Sequence, residues 1–191
     1  MDLMKPQRYS VGTGIYSDRY EFYSNEKASE RHHQMLLQQL NKALGSKSSG
    51  VQTNTYEHLH LIAEKLKRRS LVFLFTDMFQ SDKQQHELFE ALQHLKYNKH
   101  EVVLFYLSEP ITEKDLEFDN KPYKFIDLET GEEIKLSPNL FQKKHKEQAE
   151  NYLKELKLKC LQYKIDLVEI DINKGFDKVL NSYLVKRQKM L

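Results

Sequence analysis

One cysteine, Cys160, is the whole thiol inventory of this chain. A single thiol excludes an internal disulfide, rules out a thiolate cluster for zinc, and fits a reducing compartment. Tryptophan is absent, so the aromatic area comes from eleven Tyr and ten Phe. The formal net charge is only +2, too small for a global field that would gather nucleic acid. No window approaches the roughly 18 apolar residues of a membrane-crossing helix. The N-terminus, Met1-Asp-Leu-Met-Lys-Pro, has no signal-peptide core. Together these absences predict a cytoplasmic protein with no membrane span and no nucleic-acid partner.

What is present fits one ordinary folded domain over residues 1–191. Charged residues make up 30% and apolar residues 39% of the 191, a globular balance with enough length for a sizeable core. The stretch that organises the rest is Ser70-Leu-Val-Phe-Leu-Phe-Thr-Asp77. Leu71 to Phe75 is an uninterrupted apolar run, bounded by the charged Lys65 to Arg69 and by Asp77. A short run of this kind reads as a strand buried on both faces, at the centre of a parallel sheet.

Around it the pattern alternates. Ser10 to Tyr16 and Tyr20 to Tyr23 read as a hairpin across Ser17-Asp18-Arg19. Residues 30–44 form a helix whose apolar stripe is Leu36, Leu37, Leu40 and Leu44, stopped by Gly45. Ser46 to Gly50 is linker-like but too short to separate domains. A second helix starts at Thr53-Asn54-Thr55 and buries Leu59, Ile62, Ala63 and Leu66. A third helix over 83–95 presents Leu88, Phe89, Leu92 and Leu95, and Glu101 to Leu107 is a second apolar strand. Pro110 to Leu116 is irregular. Two short strands flanking Glu129-Thr130-Gly131 suggest a small hairpin insertion near 123–136. A long helix over 139–162 turns Ala149, Tyr152, Leu153, Leu156 and Cys160 inward. Leu167 to Ile170 is the last strand, and a helix over 175–187 closes the chain. This alternation predicts an α/β fold, doubly wound, with helices on both faces of a mostly parallel sheet.

Ligands of open parallel sheets bind outside the carboxyl ends of the strands, so Asp77 is the first candidate. Thr53, at a helix N-terminus, is the second. A hydroxyl and a carboxylate suit a hard cation such as Mg²⁺, although two ligands are too few to hold one. The plainer reading is that Thr53 or Asn54 caps a helix and Asp77 caps a turn. The histidine pairs His32/His33 and His58/His60 lack the i, i+4 spacing of a helical zinc site. Cys160 sits in a helix stripe and reads as a small hydrophobe. Gly12-Thr13-Gly14 lies inside a strand and is no phosphate loop.

The residues themselves are more specific than the pattern. Thr53-Asn-Thr-Tyr-Glu-His-Leu59, Ile62-Ala-Glu-Lys-Leu-Lys-Arg-Arg-Ser70 and Leu71-Val-Phe-Leu-Phe-Thr-Asp77 resemble a bacterial von Willebrand factor A-like family. It is the domain-of-unknown-function family number fifty-eight, often encoded near MoxR-type AAA+ ATPases. Leu92 to Phe105 and Phe125-Ile-Asp-Leu-Glu-Thr-Gly-Glu-Glu133 resemble it as well.

The resemblance implies a von Willebrand A-like fold and a metal-ion-dependent adhesion site. In such a site the ion is held by an Asp-x-Ser-x-Ser after the first strand, a Thr in a later loop and an Asp after the fourth strand. Thr53 matches the Thr and Asp77 the final Asp; nothing in the chain matches the Asp-x-Ser-x-Ser. The resemblance therefore implies a fold incomplete at its first strand, and a chain that closes the gap, dimerises through it, or is a fragment of a longer protein. The fragment is the expectation. Mg²⁺ or Mn²⁺ would bind weakly or not at all. The implied function is non-enzymatic: a protein-interaction module whose partner is a MoxR-type AAA+ ATPase or its client. The alternatives are a metal-dependent phosphoester hydrolase using Asp77, with Asp82 and Asp18 as the other nearby carboxylates, and a remnant with no active site.

Overall fold

In the computed structural model the described residues are 9–16, 20–45, 55–67, 69–77, 82–108, 123–126, 133–136 and 138–188. They fall in two units, divided between Leu66 and Lys67.

The first unit opens with strand β1 (Val11–Tyr16), paired antiparallel with β2 (Tyr20–Lys27). The expected partner strand stopped at Tyr23. It runs on through Ser24-Asn25-Glu26, because a ladder with one solvated face accepts polar residues. Val11 pairs with Lys27, and register shifts break the ladder at both ends. Gly12 is required by this crossing: a Cβ there would lie 2.6 Å from the Ser24 carbonyl oxygen. Helix α1 (Glu30–Gly45) follows. Its inward face differs from the expected leucine stripe. His32, His33 and Leu36 are buried, whereas Leu37, Leu40 and Leu44 are exposed. The buried residues belong to the first half of the helix. There the His32 Nε2 lies 2.9 Å from the Val11 carbonyl oxygen and ties the helix to β1. Helix α2 (Thr55–Lys65) buries Leu59 and Ala63 as expected, and sets His58 tilted against the Tyr16 ring, with centroids 5.6 Å apart.

The second unit is built on a parallel sheet of three strands: β3 (Leu71–Thr76), β4 (Glu101–Ser108) and, later in the chain, a strand over Asp166–Asp171. Helix α3 (Asp82–Tyr97) joins the first two strands. A separate antiparallel hairpin, β5 (Tyr123–Ile126) with β6 (Glu133–Leu136), occupies the expected insertion. Helix α4 (Pro138–Tyr163) leads into the third sheet strand, β7 (Asp166–Asp171). A short 3-10 turn (Ile172–Lys174) and helix α5 (Asp177–Gln188) end the described chain. No helix among the described residues is long and apolar enough to cross a membrane.

Each sheet strand is entered by the same device. Arg69, Lys99 and Lys164 all take positive φ, at 66°, 62° and 54°, two residues ahead of β3, β4 and β7. After α3 and α4 this closes a left-handed helix cap. The His100 amide donates to the Leu95 carbonyl, and the Ile165 amide to the Cys160 carbonyl. Both span five residues, as the cap requires.

Strand alternation puts Phe105 and Tyr106 on opposite faces. Tyr106 packs edge-on against Tyr152 of α4, and Phe105 packs edge-on against Tyr183 of α5. Helices thus cover both faces of this sheet. The expectation for β3 is corrected: the strand order is β3-β4-β7. The middle place belongs to β4, where Val102 through Tyr106 are all buried, while Phe73 and Phe75 of β3 stay exposed. The described residues therefore form a mixed α/β fold with a parallel sheet flanked by helices.

Candidate functional site at the carboxyl end of the parallel sheet

Parallel pairing brings the carboxyl ends of all three strands to one edge. The register sets Thr76 beside Tyr106, and Ser108 beside Asp171. Asp77 follows Thr76 directly and is exposed. Ser108 is buried. Asp171, at the far strand, is committed locally: its Oδ1 accepts from the Asn173 amide at 3.0 Å, and its Oδ2 lies 3.0 Å from the Lys174 ammonium. It caps the 3-10 turn.

Beneath this edge lies a residue that sequence reasoning placed only as part of a helix stripe. The Tyr152 hydroxyl is buried and has no hydrogen-bond partner among the described residues. Burial holds the phenol well above its ordinary range, and the neighbouring Tyr106, Cys160 and Asp77 add to the effect. Tyr152 therefore stays a neutral donor at any physiological pH, within electrostatic reach of Asp77. The available signal was small: a tyrosine at a position where the stripe alone asks for any large apolar residue. Cys160, two turns further on, is buried and its thiol is pushed up to about 12. That suits the apolar role expected of it and disfavours a thiolate nucleophile.

Thr53 lies outside the described residues, as does Asp18; of Asp82 the structure describes only its place at the start of α3. Among the described residues no cluster of three or more His, Cys, Asp or Glu could hold a metal ion. At the β3 end they contribute one carboxylate, which by itself does not fit a tightly held divalent ion. What the described residues offer at this edge is an exposed carboxylate directly after β3.

The family model described as "Protein of unknown function DUF58" matches residues 5–154. The chain belongs to the DUF58 family. That match spans β1 through most of α4 and so includes β3 with Asp77, the hairpin insertion and Tyr152. No curated protein and no solved structure matches this DUF58 chain.

Proposed function

We propose that this DUF58 chain is a non-enzymatic protein-interaction module of the von Willebrand A type, working with a MoxR-type AAA+ ATPase or its client in the cytoplasm. Its contact point is a reduced metal-ion-dependent adhesion site. One observation carries the reading: Asp77 stands exposed at the carboxyl end of a parallel strand, where open α/β sheets bind their ligands. A lone exposed carboxylate suits recognition better than turnover. Phosphoester hydrolysis draws on several carboxylates around its metal and on an activated nucleophile. An ion at this edge would rest on Asp77 and on water, bound weakly and completed by a carboxylate of the partner.

The test is binding of the chain to a MoxR-type AAA+ ATPase, by calorimetry with and without Mg²⁺ or Mn²⁺. Binding should strengthen with the ion, and Asp77→Ala should weaken it about tenfold, the cost of removing one charged anchor. Binding that ignores both the ion and Asp77→Ala would sink the reading. Phosphoester turnover abolished by Asp77→Ala would transfer the site to the hydrolase.

A further inference from the structure

The two edges of the parallel sheet differ in charge. At the carboxyl edge β3 runs into Asp77, and β7 ends on Asp171. At the amino edge the residues two ahead of β3, β4 and β7 are Arg69, Lys99 and Lys164. All three are exposed, and none forms an ion pair among the described residues. The three strands are neighbours, in the order β3-β4-β7, and strands of one sheet lie about 4.8 Å apart. Three cations therefore crowd one short edge, which a net charge of only +2 conceals. The described carboxylates nearby are Glu101, gripped by both terminal nitrogens of Arg187, and Asp166 at the start of β7.

The backbone makes this choice of residues informative. At 66°, 62° and 54° all three hold positive φ, and no other non-glycine residue does so among the described residues. Glycine takes that conformation without the clash a side chain brings, and it is the usual residue just past a helix end. A cation does favour the carboxyl end of a helix. Lys96, in the last turn of α3, already meets that need at ordinary φ, so the helix dipole does not call for Lys99. Apolar side chains stand among these cations. Tyr97 ends α3 and is 83% exposed, and Leu161, in the last turn of α4, is 77% exposed. The Lys164 amide donates to the Leu161 carbonyl at 3.2 Å, so lysine and leucine share one turn.

We propose that the amino edge of the sheet docks on an anionic membrane surface, with Arg69, Lys99 and Lys164 on the lipid headgroup anions and Tyr97 and Leu161 in the headgroup layer. Cations draw a protein to such a surface. A tyrosine and a leucine gain by leaving water at its boundary. Nucleic acid or an acidic peptide would engage the cations and leave the leucine in water. The chain lies on the bilayer through this edge and needs no crossing helix. The six residues of β3 extend about 20 Å, so a docked chain turns Asp77 away from the lipid. The contact of the proposed function lies at that far edge, and nothing at the amino edge depends on it.

Flotation of the 191-residue chain with phosphatidylcholine vesicles, with and without about 30% phosphatidylserine, tests the docking. The chain should float with the anionic vesicles alone and be released by high salt. Arg69→Gly, Lys99→Gly and Lys164→Gly combined should weaken binding about a hundredfold, roughly fivefold for each cation removed. Glycine suits positive φ, so the thermal midpoint should not fall. A purely structural role predicts the reverse, a shifted midpoint with unchanged binding. Leu161→Ser should weaken binding about threefold, and Lys174→Gln, beside Asp171 at the carboxyl edge, should leave it unchanged. A polarity-sensitive dye on Tyr97→Cys should shift to the blue on the vesicles, and the same dye on Asp77→Cys should not; Cys160 is buried and takes no label. No flotation, equal flotation on neutral vesicles, or flotation that survives the triple replacement overturns the proposal. Equal loss in Lys174→Gln overturns it too, by reducing the effect to bulk charge. A chain that ignores vesicles but is retained on polyglutamate through Arg69, Lys99 and Lys164 overturns it by giving the edge to an acidic protein.

Discussion

β3 and β4 are nearly the same strand in composition and quite different in place. One reads Leu-Val-Phe-Leu-Phe-Thr and the other Glu-Val-Val-Leu-Phe-Tyr-Leu-Ser. They pair residue for residue in parallel. Yet every residue of β4 from Val102 to Tyr106 is buried, while β3 buries only Leu74 and leaves both its phenylalanines exposed. An apolar run records that a strand can tolerate burial on both faces. Its position in the sheet is settled by neighbours: β4 has β3 on one side and β7 on the other. α4 and α5 then close over that middle strand.

The comparison breaks most visibly if the two strands are truncated in turn. Leu104 is fully buried in the middle of β4, so Leu104→Ala removes its transfer energy and leaves a cavity, at a cost of about 2–5 kcal/mol. Phe75→Ala deletes a larger side chain but one already half in water. Scaled for that exposure, its cost should be about 1–2 kcal/mol. Urea unfolding at a protein concentration that keeps the chain monomeric measures both. Equal losses would mean that β3 is as enclosed as β4, and that its edge is covered.

The same contrast shows what the sequence could tell. The helices of the second unit were legible because their stripes are long and periodic: Leu88, Phe89, Leu92 and Leu95 are all buried, as their spacing implied. The hairpin near 123–136 was legible from its turn residues. The edge position of β3 was not, since a continuous apolar run has no periodicity to mark an open side. In α1 the leucine spacing misled. A histidine whose ring meets a backbone carbonyl can be buried as readily as a leucine, and pattern reading scores it as polar. Of the site, Asp77 was legible as the first carboxylate after an apolar strand. Tyr152 was not, because a hydroxyl at the end of a phenyl ring leaves helical spacing unchanged.

A smaller effect joins the entrances of the two strands. The Ser70 amide, just before β3, donates to His100 Nδ1 at 3.2 Å, just before β4. His100 is buried, and its other ring nitrogen has no hydrogen-bond partner among the described residues. Burial lowers its pKa, and the charges of His94 and Lys96 lower it further. The folded state therefore holds this imidazole neutral where the unfolded chain would protonate it. The unfolded state binds the extra proton, so stability falls as pH drops below about 6.5 and levels off once the folded form also protonates. His100→Gln should flatten that part of the stability profile between pH 5 and 7. An unchanged slope would assign it to other histidines.

The smallest expected effect concerns what anchors β4 rather than β3. Arg187 of α5 forms a two-pronged pair with Glu101 at the start of β4, at 2.5 and 3.1 Å, and also donates to the Tyr183 hydroxyl at 3.1 Å. Glu101 is half exposed, so solvent discounts the charge attraction. Arg187→Ala should cost about 0.5–1 kcal/mol, most of it lost again in high salt. The direction of the salt response matters more than the size. If wild type and variant converge as salt rises, the pair is electrostatic trimming on a strand already fixed by burial. If the difference persists, the arginine stem is packing Tyr183 against Phe105, and part of β4's enclosure comes from the last turn of α5.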